Sequence, residues 1–96
     1  MVKAITMDPK DNVATLLADV EEEGEVTITT TSGKAIRELK AKQHVPFGHK
    51  ISLTKMRRDE KVIKYGEVIG ETTMSIEEGE HVHVHNLRSM TWGKFG

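Results

Sequence analysis

Apolar and polar residues alternate with a period of two along much of this chain, which is the pattern of half-buried β-strands. The alternation is regular over residues 2–7, and residues 25–31 form a Thr-rich segment of high strand propensity. Further strands are predicted at residues 34–40, 51–53, 61–65, 67–69 and 81–85. The alternation slips within residues 34–40, which predicts a β-bulge there. Short strands separated by turn residues indicate an all-β sandwich, barrel or clip rather than βαβ units.

A single segment has apolar side chains at helical spacing, at Val13, Leu16, Leu17 and Val20. Asp11 or Asn12 precedes this segment and could cap the N-terminus of a helix. The acidic run that follows, with Gly24, would end the helix. The sequence therefore predicts one short N-terminal helix over residues 13–20 within a mainly β fold.

A local pattern of an apolar residue, a charged tight turn and a strand that contains valine occurs three times. The three copies span residues 20–26, 56–62 and 76–82. Charged residues and glycine suit exposed turns. We therefore interpret the pattern as a repeated way of turning the chain and not as a binding motif. A separate structured turn at residues 45–50 leads into the strand at 51–53.

The chain has 96 residues, which suits one small domain over residues 1–96, with residues 89–96 as a C-terminal tail or linker. Aromatic residues make up only 4%, so the core has to be aliphatic. The net charge of −1, from interspersed acids and bases, gives no basic face for nucleic acid. Cysteine is absent, which excludes disulfides and thiolate sites. The sequence has no signal-peptide core and no membrane-spanning apolar run, so a cytoplasmic protein is expected.

Three histidines alternate with two valines near the C-terminus. A strand here places His81, His83 and His85 on one face and buries Val82 and Val84 on the other. Imidazole binds metals and transfers protons near neutral pH. Two neighbouring rings on a strand can reach one ion but three require bending, so no metal ligand is assigned in this chain. The alternative is a polar face that is exposed to water or covers a partner.

Two further short segments carry a cation beside glycine. His49 and Lys50 follow a glycine in the turn at 45–50, where they could face a carboxylate as a proton shuttle and a charge. Lys64 and Tyr65 precede another glycine at the end of a strand. The alternative is a solvated turn and an exposed strand end. The sequence has no hydroxyl-nucleophile signature, phosphate-binding loop, nucleotide fingerprint or paired-carboxylate site.

Four blocks of sequence carry a resemblance to a known family. They are residues 11–14 (DNVA), 48–53 (GHKISL), 62–70 (VIKYGEVIG) and 79–86 (GEHVHVHN). In this order and spacing they resemble the N-terminal SAF domain, a β-clip fold, of the altronate and galactarate dehydratase family. The resemblance covers about residues 4–88 and implies a small β-clip (SAF-like) domain. One departure is Asp8, where several family members carry His.

The resemblance implies a component of a lyase that acts on sugar acids. Members of the family dehydrate altronate or galactarate to 2-keto-3-deoxy acids with a divalent metal, usually iron. The small domain is fused to the large catalytic unit in some members and is a separate subunit in others. We therefore expect a large catalytic dehydratase subunit as the partner, with the metal held mainly by that subunit and no activity of this chain alone. The chain could also assemble as a homo-oligomer.

The same reasoning gives an expected set of site residues. The expected catalytic residues are His49, His83 and His85, and the expected residues for binding the sugar acid are Lys50, Lys64 and Asn86. A related reading is the small subunit of a sulfolactate sulfo-lyase, which eliminates sulfite instead of water, although the first block looks closer to the dehydratases. Two non-catalytic readings remain, a β-clip module that binds a carbohydrate or carboxylate and a structural subunit whose histidines face solvent.

Overall fold

The computed structural model describes residues 1–89, which contain nine strands and no helix. The strands are β1 (Val2–Thr6), β2 (Val13–Leu16), β3 (Glu25–Thr30), β4 (Ala35–Lys40), β5 (Lys50–Ser52), β6 (Lys61–Lys64), β7 (Glu67–Thr72), β8 (His81–Val82) and β9 (Leu87–Ser89). This confirms a mainly β fold and is consistent with a small β-clip domain. The described residues include no helix that is long and apolar enough to cross a membrane. Most of the predicted tail at 89–96 lies outside the described residues.

The strands form two sheets. A six-stranded sheet has the order β4-β3-β1-β2-β5-β8, and a three-stranded sheet has the order β6-β7-β9. Neighbouring strands pair antiparallel, except that β1 and β3 are parallel. At one edge of the large sheet, Lys50 of β5 lies opposite Val82 of β8 and Ile51 lies opposite His81. This pairing joins two segments that are distant in sequence.

Two aliphatic clusters form the interior. The larger cluster includes Leu16, Ile28 and Ile51, all fully buried. The smaller cluster consists of Val13, Met56, Val62, Ile76 and Val82. Burial of one such side chain contributes about 1.5–3 kcal/mol, so both clusters stabilise the strands around them.

The helix predicted over residues 13–20 is wrong, because Val13–Leu16 forms strand β2. Val13 packs in the smaller cluster and Leu16 in the larger one, so this strand is apolar on both faces. A short strand between two cores cannot be distinguished from a helix by its apolar spacing alone. Leu17, which the helical pattern placed on the buried face, is 47% exposed.

The two residues predicted as helix caps instead attach the β6–β7 hairpin to the rest of the molecule. The Asn12 side chain accepts a hydrogen bond from the amide of Ile63 at 2.8 Å and donates one to the carbonyl of Lys61 at 2.9 Å. The Asp11 carboxylate accepts a hydrogen bond from the amide of Gly66 at 2.7 Å. These polar side chains therefore link distant backbone segments.

The bulge predicted within residues 34–40 is confirmed. Arg37 lies opposite Ile28, and Ala35 lies opposite Thr29. Ile36 is therefore the extra residue of β4, and its side chain is half exposed. The insertion of one residue explains why the apolar alternation of this strand changes phase.

The histidine strand is shorter than predicted. Strand β8 ends at Val82, and the chain turns at residues 83–86 before it enters β9. Val82 is fully buried, as predicted, but Val84 is 81% exposed, so the prediction that Val84 is buried is wrong. Strict alternation holds only while the chain remains extended.

Four turns of the molecule share one construction, and we call them corners 1 to 4 (residues 20–24, 45–49, 56–60 and 76–80). Each begins with a buried apolar residue in an isolated β-bridge, which is Val20, Val45, Met56 or Ile76. These bridges pair corner 1 with corner 2 and corner 3 with corner 4. The repeated sequence pattern identified corners 1, 3 and 4 but not corner 2.

The backbone of the four corners is also alike. In each, the amide of the fifth residue donates to the carbonyl of the second, at 2.9–3.3 Å. The fourth residue has a positive φ of 67–88°, and it is Glu23, Gly48, Asp59 or Gly79. A positive φ at this position is the feature of a type II β-turn, which reverses the chain before the next strand.

Candidate functional site

The pairing of β5 with β8 brings His49 to the histidine-rich segment. His49 ends corner 2 and directly precedes β5, and the register of the two strands continues to place it opposite His83. Residues opposite each other in an antiparallel pair have side chains on the same face. The rings of His49 and His83 accordingly stack with their centroids 4.2 Å apart.

Four imidazoles form one cluster, made of His49, His81, His83 and His85. The rings of His49 and His81 are 5.0 Å apart, and Nδ1 of His49 lies 2.9 Å from Nε2 of His81. This distance is a hydrogen bond when one of the two nitrogens carries a hydrogen. The rings of His81 and His83 are 5.4 Å apart, and those of His81 and His85 are 5.2 Å apart. His85 is the most exposed member.

Asn86 closes the turn that carries the last two rings. Its side-chain oxygen accepts a hydrogen bond from the amide of His83 at 2.9 Å, and its side-chain nitrogen donates to the carbonyl of His81 at 2.8 Å. The residue is 3% exposed. Both ends of the Asn86 side-chain amide are thus used within the chain, where they hold the backbone of His81 and His83, and the contact of Asn86 with substrate stays a prediction.

Two lysines extend the cluster of imidazoles. Lys50 follows His49 on β5, and Lys64 lies at the end of β6, with its Nζ 5.0 Å from the centre of the Tyr65 ring. The Tyr65 hydroxyl donates to Oγ1 of Thr15 at 3.2 Å. Thr15 pairs with Lys50 across β2 and β5. This chain of contacts connects the β6–β7 hairpin to the histidine cluster.

The electrostatics of the site reflect burial and crowding of positive groups. Burial, followed by the proximity of Lys64, lowers the pKa of Lys50. Burial, followed by the neighbouring imidazoles and Lys50, lowers the pKa of His81 to about 4. The same causes lower the pKa of His83. Neutral imidazoles, which can accept a proton or bind a metal, are therefore favoured at physiological pH.

Within residues 1–89, no carboxylate forms an ion pair with any residue of the cluster or with its two lysines. By contrast, the exposed cations Lys61 and Arg88 both contact Glu71. The site therefore presents basic and cationic groups without an internal counter-ion. Such a surface attracts an anion, for example a carboxylate or a phosphate, because the lysines supply positive charge and hydrogen-bond donors.

Three of the imidazoles also fit a metal ion. One ring nitrogen each of His49, His81 and His83 lies within 4.8 Å of the others. Three imidazoles are a donor set of catalytic zinc and of other borderline divalent ions. The sequence assigned no metal ligand here because three rings on one straight strand cannot meet. In the structure, the third ring of the group comes from His49 on the neighbouring segment and not from His85.

A depression of about 420 Å³ lies away from the histidine cluster, between the turn after β1 and strand β4, and is lined mostly by apolar atoms. Its acidic residues are Asp8 and Asp11. The Asp11 carboxylate accepts hydrogen bonds from the amides of Met7, Asp8 and Gly66 and is therefore engaged in the fold. The histidine cluster, which carries the free basic groups, is the stronger candidate for chemistry.

The structure brings together five of the predicted site residues from three separate segments: His49, Lys50, Lys64, His83 and His85. His81 was noted as a ring on the same face but was not among the predicted catalytic residues. It lies at the centre of the cluster, with neighbours at 5.0, 5.4 and 5.2 Å. The similarity of corners 2 and 4 is the sequence signal that could have identified the pairing, because each corner leads into one of the two strands.

Comparison with known proteins gives a consistent assignment. The model of the altronate/galactarate dehydratase SAF domain matches residues 2–90. The chain is 44% identical over 55 residues to (2R)-sulfolactate sulfo-lyase subunit alpha of Chromohalobacter salexigens, which covers 57% of this chain and 58% of that protein. It is 40% identical over 62 residues to the subunit of the same name from Paracoccus pantotrophus, covering 65% of this chain and 92% of that subunit.

A second group of relatives is much longer than this chain. The chain is 40% identical over 79 residues to altronate dehydratase of Escherichia coli K12. The match covers 82% of this chain but only 15% of that enzyme. The same type of domain therefore occurs both in a small subunit and within a long enzyme chain.

Proposed function

The chain belongs to the altronate/galactarate dehydratase SAF domain family, and on this premise we propose that it is the small component of a sugar-acid dehydratase. Its role would be to complete the active site of a larger catalytic subunit. The observation that carries the proposal is the convergence of four imidazoles, from the end of corner 2 and from β8 with the turn after it, with Lys50 close to His81 and Lys64 close to Lys50.

The chemistry of the site suits elimination from a hydroxylated carboxylic acid. The reaction removes the proton α to the carboxylate and expels the hydroxyl group at the β carbon. A neutral imidazole accepts the first proton, and a protonated one delivers a proton to the leaving hydroxyl. We assign these roles to His49, His83 and His85, while Lys50 and Lys64 bind the carboxylate. A divalent cation, when bound, supplies Lewis-acid stabilisation of the negative charge that develops on the carboxylate.

The proposal includes a partner because the histidine cluster is only partly shielded from solvent by the described residues. His85, Val84 and Phe47 are all exposed, and the two apolar residues are 81% and 64% accessible. The relatives named subunit alpha occur in an enzyme with further subunits. A large catalytic subunit placed over this surface would exclude water and supply the remaining groups of the site.

A second candidate function is the small subunit of a (2R)-sulfolactate sulfo-lyase. The observation that favours it is that the match covers 92% of the Paracoccus subunit, so almost the whole of that small subunit corresponds to residues of this chain. The two reactions share removal of a proton α to a carboxylate and differ in the leaving group. The alternative that is not an enzyme component is a β-clip module that binds a carbohydrate or carboxylate without catalysis.

Reconstitution tests the proposal. The chain is purified from its source together with its large partner, and turnover of altronate, galactarate and sulfolactate is measured for the chain, the partner and the complex. We expect turnover of one substrate by the complex and none by the chain alone. Turnover by the chain alone, or tight binding of a sugar acid with no turnover in any complex, would contradict the proposal.

Two variants of the complex separate proton transfer from substrate binding. His83→Ala should lower kcat by about 10²-fold, the scale of a positioned acid or base, while Lys64→Met should raise the apparent KM by about tenfold. The matched controls are His44→Ala and Lys55→Met, which change exposed residues outside the cluster. Wild-type kinetics in both site variants would restrict this surface to a structural role.

A further inference from the structure

We infer that His49, His81 and His83 form a binding site for one divalent transition-metal ion within this chain. The inference stands apart from the proposed function, because metal binding can be measured without substrate and without a partner subunit. It concerns a site in the small domain, in addition to any metal that the large subunit holds. When the ion is bound, His49 and His83 act as its ligands, so the proton-transfer roles proposed for them above apply to the metal-free site, and His85 is the imidazole that transfers protons in both states.

The spacing of the ring nitrogens is the first argument. Nδ1 of His49 and Nε2 of His81 are 2.9 Å apart. Two nitrogens bound at about 2.1 Å to one ion are separated by about 3.4 Å in a tetrahedral site and about 3.0 Å for neighbours in an octahedral site. His83 offers a nitrogen within 4.8 Å of the other two. An ion can therefore replace the hydrogen bond between the rings after small side-chain rotations.

The backbone that carries the ligands is fixed, which is the second argument. The carbonyl of His49 accepts a hydrogen bond from the amide of Leu16 at 2.9 Å, so this residue is anchored to β2. Asn86 is buried and binds the carbonyl of His81 and the amide of His83 at the same time. One amide thus sets the positions of two ligands, in the manner of the groups that orient ligands around known metal sites.

The donor set and its surroundings define the class of ion. Three imidazoles favour Zn²⁺, Co²⁺, Fe²⁺ or Ni²⁺ over Mg²⁺ and Ca²⁺, which prefer oxygen. The three residues are only half buried, so one side of the ion stays open, as in catalytic sites with three protein ligands. Lys50 lies next to the cluster and adds positive charge. An anionic ligand such as a carboxylate is therefore the preferred occupant of the open position.

Cobalt titration of the untagged chain tests the inference. The chain is freed of metal with a chelator, dialysed and titrated with Co²⁺, whose d–d absorption in the visible region reports nitrogen ligands in a low-symmetry site. We expect saturation at one equivalent. Loss of a group that merely orients a ligand weakens metal affinity by about 10–100-fold, so His49→Ala and His83→Ala should each weaken Co²⁺ binding by about 100-fold or more.

His44→Ala is the matched control, because His44 is exposed and lies outside the cluster. It should bind Co²⁺ as the unmodified chain does. Circular dichroism of each variant verifies that the strands are formed. Absence of the absorption band in the unmodified chain, or its retention in both site variants, would overturn the inference. A chain that binds Co²⁺ through these residues but supports no turnover with its partner would disprove the proposed function alone.

Discussion

Corners 2 and 4 have the same backbone conformation, but the polar side chain at the end of corner 4 closes its own turn, whereas the one at the end of corner 2 faces the candidate site. In both, a bridge residue, Val45 or Ile76, is fully buried, and a glycine with φ of 83° or 88° completes the turn. Corner 4 places two glutamates on the surface, whereas corner 2 has Pro46 and an exposed Phe47 in the corresponding positions. The strands that follow, β8 and β5, pair with each other and bring the four histidines together at their ends.

The residue after the glycine shows how the two corners diverge. In corner 4 this residue is Glu80, whose carboxylate accepts a hydrogen bond from the amide of Glu77 at 2.7 Å. Corner 3 repeats the arrangement, with Glu60 in place of Glu80. In corner 2 the corresponding amide belongs to Pro46, which has no N–H. The side chain at position 49 is therefore not needed to close the turn, and His49 can face the site.

The glycines of the two corners differ in their surroundings, and this gives the largest expected effect. A Cβ on Gly79 would lie 2.3 Å from the carbonyl oxygen of Lys40, whereas a Cβ on Gly48 would meet nothing within 4 Å. Gly79→Ala combines left-handed strain with a backbone clash and should lower the free energy of unfolding by about 3 kcal/mol or more. Gly48→Ala involves the strain alone and should cost about 1 kcal/mol.

Urea unfolding of the two glycine variants measures this difference directly. Equal costs would show that corner 4 is not more tightly enclosed than corner 2. A larger cost for Gly48→Ala would mean that corner 2 is the structural corner and corner 4 the permissive one. Either result would remove the physical basis for treating corner 2 as the functional one.

The valines of the histidine-rich segment give the next largest effect. Val82 follows corner 4 on β8 and is fully buried in the smaller cluster, whereas Val84 is 81% exposed in the turn. Val82→Ala should lower the free energy of unfolding by about 1–3 kcal/mol through lost burial and a small cavity. Val84→Ala should change it by less than about 0.5 kcal/mol. Thermal and urea unfolding of both variants provide the measurement. A large effect of Val84→Ala would support the sequence-based prediction that the strand extends to residue 85 and buries Val84.

The sequence predicted most strands and the shared face of the three alternating histidines, but not the connections between distant segments. The alternation of apolar residues identified Val82 as buried and placed the three imidazoles on one face, because a strand has a period of two. It failed at Val84, because the hydrogen bonds of the Asn86 side chain turn the chain after β8. The helix over residues 13–20 failed because β2 lies between two cores, which is a tertiary property.

The location of the site also depended on strand pairing. His49 was selected because it lies in a glycine turn, and His83 because it belongs to the alternating segment. That these two rings stack follows only from the register of β5 with β8. The one sign of this pairing in the sequence is the similarity of corners 2 and 4, which lead into the two strands. The similarity is hard to recognise because corner 2 has Pro46 and Phe47 where corner 4 has two glutamates.

The exit residues of the two corners give the smallest expected effect and the most direct comparison. Glu80→Ala removes the hydrogen bond to the amide of Glu77 and should lower the free energy of unfolding by about 1 kcal/mol, the net value of one such bond. His49→Ala leaves the backbone bonds of corner 2 in place and removes only the partly exposed contacts of its ring with His81 and His83. It should therefore destabilise the chain less than Glu80→Ala does, although it should lower turnover in the assembled enzyme. Urea unfolding and steady-state kinetics of both variants separate the two effects. If His49→Ala proved as destabilising as Glu80→Ala, the imidazole would help to close the turn. The absence of an N–H at Pro46 would then not explain why the side chain at position 49 faces the site.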